Sequence, residues 1–224
     1  MNKLNQLREI HTSGKSYAIY KSINGFDLYT NFSKKIFLNK NNVSSFLNKK
    51  YTRKKNNGTD LFIGFLGYEL LNNLIGVKVP QQKSIKFPQG IFYKPEKKIS
   101  YSNNLVNYYS DKTRLKKKFK ININKRSYKK IFDKFKKKIK KGETYQIKIC
   151  TKYKLKSEID PLDFFCRLSR TNLAPEAFMI KDKNYSIISC SPENLITKKG
   201  LYITTKPIAG TVKKTKNLSK FQAL

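Results

Sequence analysis

A chain of 224 residues can hold one large domain or two small ones, and 38% hydrophobic with 13% aromatic content is enough for a core, which excludes global disorder. The formal charge is +35, carried overwhelmingly by lysine. Abundant asparagine, isoleucine, tyrosine and phenylalanine with scarce alanine are what A/T-rich codons supply, and point-charge lysines are poor base readers, so specific nucleic-acid recognition is set aside. Anionic small molecules will still be drawn to such a surface.

Met1–Gln6 lacks the apolar core of a signal peptide. Residues 16–38 alternate loosely about Asn24-Gly25, a strong hairpin signal. A polar loop is expected over 48–60. Leu61–Leu71 then reads as a buried strand turning at Gly67 into a short helix; with Gly64, Gly67 and Glu69 inside it, the run is too short to span a bilayer. Pro80, Pro88 and Pro95 bracket a strand at Ile91–Tyr93, and Lys112–Lys125 is a lysine-rich connector. The expected divisions are an N-terminal subdomain 1–111, a connector 112–126 and a second domain from 127 to 224.

Ser127 is expected to cap a helix whose apolar side is Tyr128, Ile131, Phe132, Phe135 and Ile139, ending at Gly142. Such a basic amphipathic helix could lie on a membrane; a core-facing helix with a solvated lysine face is the preferred account. From Thr144 to Leu155 the period becomes two, predicting a strand with Gln146, Lys148 and Cys150 on its polar face. Asp160-Pro161 opens a helix on Leu162, Phe165 and Leu168. Ala177–Ile180 and Tyr185–Cys190 form a hairpin, Ser191-Pro192-Glu193 breaks it, and Leu201–Thr205 is the last strand. The predicted class is α+β, with mixed or antiparallel sheets and packed helices.

That strand runs into Lys206-Pro207-Ile208-Ala209-Gly210-Thr211. Proline fixes φ, and an unobstructed glycine N–H beside a hydroxyl can donate to an anion, although strand-Pro-x-x-Gly-Thr is also an ordinary turn. Cys150, Cys166 and Cys190 form no CxxC pair and His11 is the one histidine, so neither a zinc site nor a disulfide framework is indicated. The expected setting is reduced, soluble and cytoplasmic, without a membrane.

Five motifs recur in order: Gly142-Glu143-Thr144-Tyr145-Gln146-Ile147, Asp160-Pro161-Leu162, Asn172-Leu173-Ala174-Pro175, Ser189-Cys190-Ser191-Pro192-Glu193 and Thr205–Thr211. With them the chain resembles the chorismate-utilising enzymes, component I of anthranilate synthase and of aminodeoxychorismate synthase. The resemblance is specific over 127–211; upstream, Phe62–Leu70 looks like the family's glycine-tyrosine turn. It implies a partial component I-like fold, chorismate as substrate, Mg²⁺ as cofactor and a glutaminase (glutamine amidotransferase) partner delivering ammonia. Gly210 and Thr211, approached by Pro207 and Ile208, are implied to hold a substrate carboxylate, on one wall of a pocket shared with the Gln146 strand.

Within the family a lysine at the position of Gln146 serves members that add water, and glutamine serves those that add ammonia; a glutamine cannot abstract a proton but can orient an amine. Ala209 occupies the position where some aminodeoxychorismate synthases carry a nucleophilic lysine, which favours direct addition as in anthranilate synthase. Against that, the Leu-Leu-Glu-Ser signature for feedback tryptophan is missing, its nearest candidate being Ala18–Ser22, and Leu173–Ala177 replaces the companion Pro-Ser-Pro-Tyr-Met. The Ala-Pro form and the Thr-Lys-Pro approach are more like the aminodeoxychorismate branch, which serves 4-aminobenzoate and folate synthesis rather than tryptophan. The family's magnesium-binding glutamates lie beyond the loop, whereas Val212–Leu224 contains no acid. The implied expectation is a truncated or split chain, inactive alone unless a second polypeptide completes it. A reading of another class is a lysine-rich polyanion-binding module on 112–125 and 127–141.

Overall fold

The computed structural model describes residues 3–49, 61–70, 75–76, 87–102, 118–156 and 158–208. In chain order the elements are α1 (Lys3–Thr12), β1 (Tyr17–Ser22), β2 (Gly25–Leu38), α2 (Val43–Asn48), β3 (Ile63–Leu66), a 3₁₀ turn (Tyr68–Leu70) and β4 (Gly90–Ser102). There follow β5 (Lys120–Ile121), α3 (Lys125–Lys140), β6 (Tyr153–Lys154), α4 (Pro161–Thr171), β7 (Glu176–Lys181), β8 (Ser186–Ser191), β9 (Asn194–Lys199) and β10 (Tyr202–Lys206). The chain is α+β, and it divides into a unit of Met1–Tyr109 with Pro161–Leu224 and a unit of Ser110–Asp160.

In the larger unit six antiparallel strands run in the order β3-β4-β2-β1-β7-β8. Alternation sets the two faces. Tyr17, Ile19 and Leu28 meet Leu7 of α1 and Leu162, Phe165 and Cys166 of α4, while Ala18, Tyr29, Ile91, Tyr93 and Ile180 form a second cluster. The β1–β2 hairpin closes with Ser22 opposite Gly25, as the Asn24-Gly25 signal predicts. The turn from β3 through Gly67 and the β7–β8 hairpin also follow the sequence reading. Helices α1 and α2 carry no strong periodic signal and are additions to it.

Pro95 does not bound a strand: β4 runs through it. Pro95 pairs with Phe32 beside a register shift between Phe32 and Lys34, and β3 reaches only Gly90–Tyr93. At Pro95 one side of β4 therefore has no β3 ladder to lose, which is where a residue without an N–H is tolerated. Pro80, residues 50–60 of the expected loop and residues 112–117 of the expected connector lie outside the described residues.

In the smaller unit α3 is capped by Asn124, not Ser127: the Asn124 side chain accepts from the Ser127 N–H at 2.8 Å, placing Ser127 on the third helical position. At the other end Gly142 takes φ +73°, its N–H donating to Ile139 O and the Glu143 N–H to Lys138 O, the paired bonds of a Schellman ending. The expected core-facing stripe is not buried: Tyr128, Phe132 and Ile139 are 43%, 45% and 41% exposed. The strand expected over 144–155 shrinks to Tyr153–Lys154, paired with Lys120–Ile121. Half-buried Ile147 and Ile149 still alternate with exposed Gln146, Lys148 and Cys150. No described strand pairs with 144–152, and a periodic pattern without a hydrogen-bonding neighbour makes no sheet.

Candidate functional site

Antiparallel pairing of β1 with β7 sets Tyr20 opposite Phe178, and so carries the end of β1 to the loop that enters β7. The two stretches singled out above, Ala18–Ser22 and Leu173–Ala177, therefore meet. The Tyr20 hydroxyl donates to Glu176 Oε2, and Lys21 Nζ donates to the Ala174 carbonyl at 2.6 Å. Glu176 Oε1 accepts from Asn194 Nδ2 at 2.9 Å, which ties the start of β9 to the same corner. Beside this clasp lies a cavity of about 1020 Å³, also faced by Asp27, Lys98, Ser100 and Lys199.

The carboxylates here are already engaged. Asp27 accepts from Ser100 Oγ at 2.7 Å and pairs with Lys98 at 2.9 Å. Burial, then the hydrogen bond to Glu176, pushes the Tyr20 hydroxyl up to about 12, so it remains a donor across the physiological range. Burial also raises the Cys190 thiol, with the Lys21 ammonium opposing. The hydrogen bond to Asp27 leads in holding the Lys98 ammonium above its ordinary range. The chemistry on offer is recognition of a polar ligand by charges of both signs.

A second meeting of motifs lies at the end of β10. Glu193, closing Ser191-Pro192-Glu193, accepts at Oε1 from the Ile208 N–H at 3.4 Å, while Ser191 Oγ donates to the Glu193 carbonyl at 3.0 Å. Pro207 and Ile208 thus belong to the larger unit, held by the segment between β8 and β9. Ala209, Gly210 and Thr211 lie outside the described residues. Gln146 belongs to the smaller unit, outside any helix or strand, exposed, with Thr144 Oγ1 donating to its carbonyl at 3.2 Å.

Among the described residues no group of three or more His, Cys, Asp or Glu side chains could hold a metal ion. No described helix is long and apolar enough to cross a membrane. The Tyr20–Glu176–Asn194 clasp escaped the sequence reading: Asn194 stands 18 residues beyond Glu176, and only the β7–β8 hairpin brings it back.

The family model of chorismate binding enzymes matches residues 11–224. Anthranilate synthase component 1 of Arthrobacter globiformis is 34% identical over 97 residues, covering 41% of this chain and 18% of that protein. Aminodeoxychorismate synthase component 1 of Bacillus subtilis (strain 168) is 29% identical over 92 residues, 41% of this chain and 20% of that protein. Anthranilate synthase component 1 of Buchnera aphidicola subsp. Pemphigus spyrothecae is 28% identical over 186 residues, 67% of this chain and 35% of that protein. The chain therefore spans about a third or less of the length of these curated relatives.

Proposed function

The chain belongs to the chorismate-binding enzyme family, and from that membership we propose that it acts as a component I-type subunit that adds ammonia to chorismate. The residue at position 146 carries the reading. A primary amide can accept from and donate to an incoming amine, but it cannot take a proton from water at neutral pH, which disfavours hydration of the ring. Gly210 and Thr211 are proposed to hold a substrate carboxylate, with Pro207 and Ile208 fixing the approach and Ala209 leaving the loop without a nucleophile. A glutaminase subunit is the proposed ammonia source, Mg²⁺ the proposed cofactor, and a component I-like fold the proposed architecture.

Between the two aminations we favour the aminodeoxychorismate branch. Lys21 stands where the tryptophan signature carries an acid, so the ammonium of a feedback amino acid would meet a like charge. Anthranilate synthase is the alternative, and relatives of both kinds match. Incubation with chorismate, Mg²⁺ and ¹⁵N-ammonium, with the product read by NMR, tests the reading. Any product formed, by the chain or by the chain completed with a second polypeptide, is expected to carry nitrogen on the ring at the carbon para to the ring carboxylate. A hydroxylated product would overturn amination, and ortho nitrogen would overturn the branch.

The polyanion-binding alternative has one observation in its favour. Lys130, Lys134, Lys137, Lys138 and Lys141 line, with Asp133 and Glu143, an exposed groove of about 520 Å³ along α3 and its C-terminal end. It predicts tight nucleic-acid binding that weakens steeply with salt, and amination predicts only weak retention.

A further inference from the structure

We propose that the outer edge of β10 is a docking site for a β-strand of an acidic partner polypeptide. The inference rests on the β9–β10 hairpin alone and goes beyond the reaction proposed above. Among the described residues β9 and β10 form a sheet of two strands, so each keeps one edge without a ladder. The two edges are not equivalent. Between the pairs Thr204–Thr197 and Lys206–Asn194, Leu195 and Ile196 of β9 stand opposite Thr205 alone. The extra residue is a bulge on β9, which bends that strand and blunts its edge. β10 runs regular, and its edge is the one that can template a further strand.

The residues of the hairpin say what would cover it. Tyr202 and Ile203 point to opposite faces of β10 and are 82% and 64% exposed, and Leu195 and Ile196 of β9 are exposed as well. Apolar residues on both faces are the pattern of a strand inside a sheet, and a two-stranded ribbon is marginal by itself. The flanks are basic. Lys198, Lys199 and Lys206 are exposed, none pairs with a carboxylate among the described residues, and no acid occurs from Asn194 to Lys206. A second copy of this chain would set these lysines against one another, with a formal charge of +35 on each molecule. A bilayer would leave the open ladder unsatisfied in hydrocarbon. An acidic strand satisfies the ladder, covers the apolar residues and answers the lysines together.

The test titrates a capped peptide, Glu-Val-Glu-Ile-Glu-Val-Glu, into the ¹⁵N-labelled full chain, beside a Lys-for-Glu version and a version with proline in place of its isoleucine. The acidic peptide is expected to shift the amides of residues 202–206 saturably and to slow their hydrogen exchange. The basic peptide should bind at least about tenfold more weakly through like-charge repulsion, and the proline peptide likewise through its missing N–H. Lys198→Glu with Lys206→Glu, both at exposed positions, should weaken the acidic peptide about tenfold, and Lys40→Glu, outside the hairpin, should leave it unchanged. Equal binding of the proline peptide would overturn strand addition. Shifts that grow without saturation across surface lysines would overturn the site, as would no effect of the double charge reversal in a variant whose amide spectrum is otherwise unchanged. Protection of 202–206 that rises with the concentration of the chain alone would overturn the acidic partner in favour of a second copy.

Discussion

Replacing Asp182 by asparagine removes the charge from the most heavily bonded carboxylate described. Its side chain is 5% exposed, in the turn between β7 and β8. Oδ1 accepts from Ser16 Oγ at 3.0 Å and from the Lys183 N–H at 2.7 Å; Oδ2 accepts from Lys35 Nζ and the Tyr93 hydroxyl. Burial alone would raise this carboxyl, but the bonds from Lys35, Tyr93, the Lys183 amide and Ser16 outweigh it and hold the group well below the ordinary carboxylate range. Breaking a buried pair costs ~3–5 kcal/mol, and because Lys35 is 38% exposed we discount this to about 2–3 kcal/mol. The folded pKa is depressed, so the stabilisation is fully present above the unfolded value of 3.8 and is lost as pH falls below it. Urea unfolding followed by circular dichroism should show the full Asp182→Asn loss at neutral pH and a narrower gap by about pH 3. A loss under about 0.5 kcal/mol at neutral pH, or a gap that does not change with pH, would refute the reasoning.

Gly64 is a position of close approach: a Cβ there would meet the Ile91 carbonyl at 2.0 Å and Phe92 Cα at 2.7 Å, so Gly64→Ala should cost about 3 kcal/mol in denaturant titrations or prevent folding. Gly142→Ala puts a Cβ at φ +73° and should destabilise the C-terminal end of α3 by about 1–2 kcal/mol, seen as earlier loss of helical circular dichroism. Tyr20 is raised from 10.0 to about 12, so its contribution is present below pH 10 and is lost as pH climbs towards 12; Tyr20→Phe should flatten the alkaline limb of the stability profile. Gln146→Lys should lower ammonia-dependent product formation at least about 10²-fold, measured as ¹⁵N incorporation.

Local rules carried the sheet well. Tyr17, Ala18 and Ile19 alternate between two clusters, as period-two patterning requires, and Asp160-Pro161 opens α4 where a fixed φ is wanted. They failed where the deciding partner is distant in sequence. The 144–152 pattern is that of a strand, yet strand identity needs a neighbour, and only Tyr153 and Lys154 find one. The apolar stripe of α3 has helical spacing, but spacing does not say that a core lies opposite. Ser127 and Asn124 are both competent caps three residues apart, and the choice turns on which side chain reaches the free N–H. Glu193, singled out within a motif, reaches Ile208 only because β9 and β10 fold back on each other.

If the amide at position 146 guides nitrogen onto the ring of chorismate, substrate and amide must meet in solution. Titrating chorismate into the labelled chain, with Mg²⁺ and ¹⁵N-ammonium present, reads binding and product in one sample. Saturable shifts at Gln146 that depend on the substrate carboxylates are expected, with ¹⁵N in any product formed. Oxygen in place of nitrogen on the ring, or no response of Gln146 to chorismate at any concentration, would contradict that expectation.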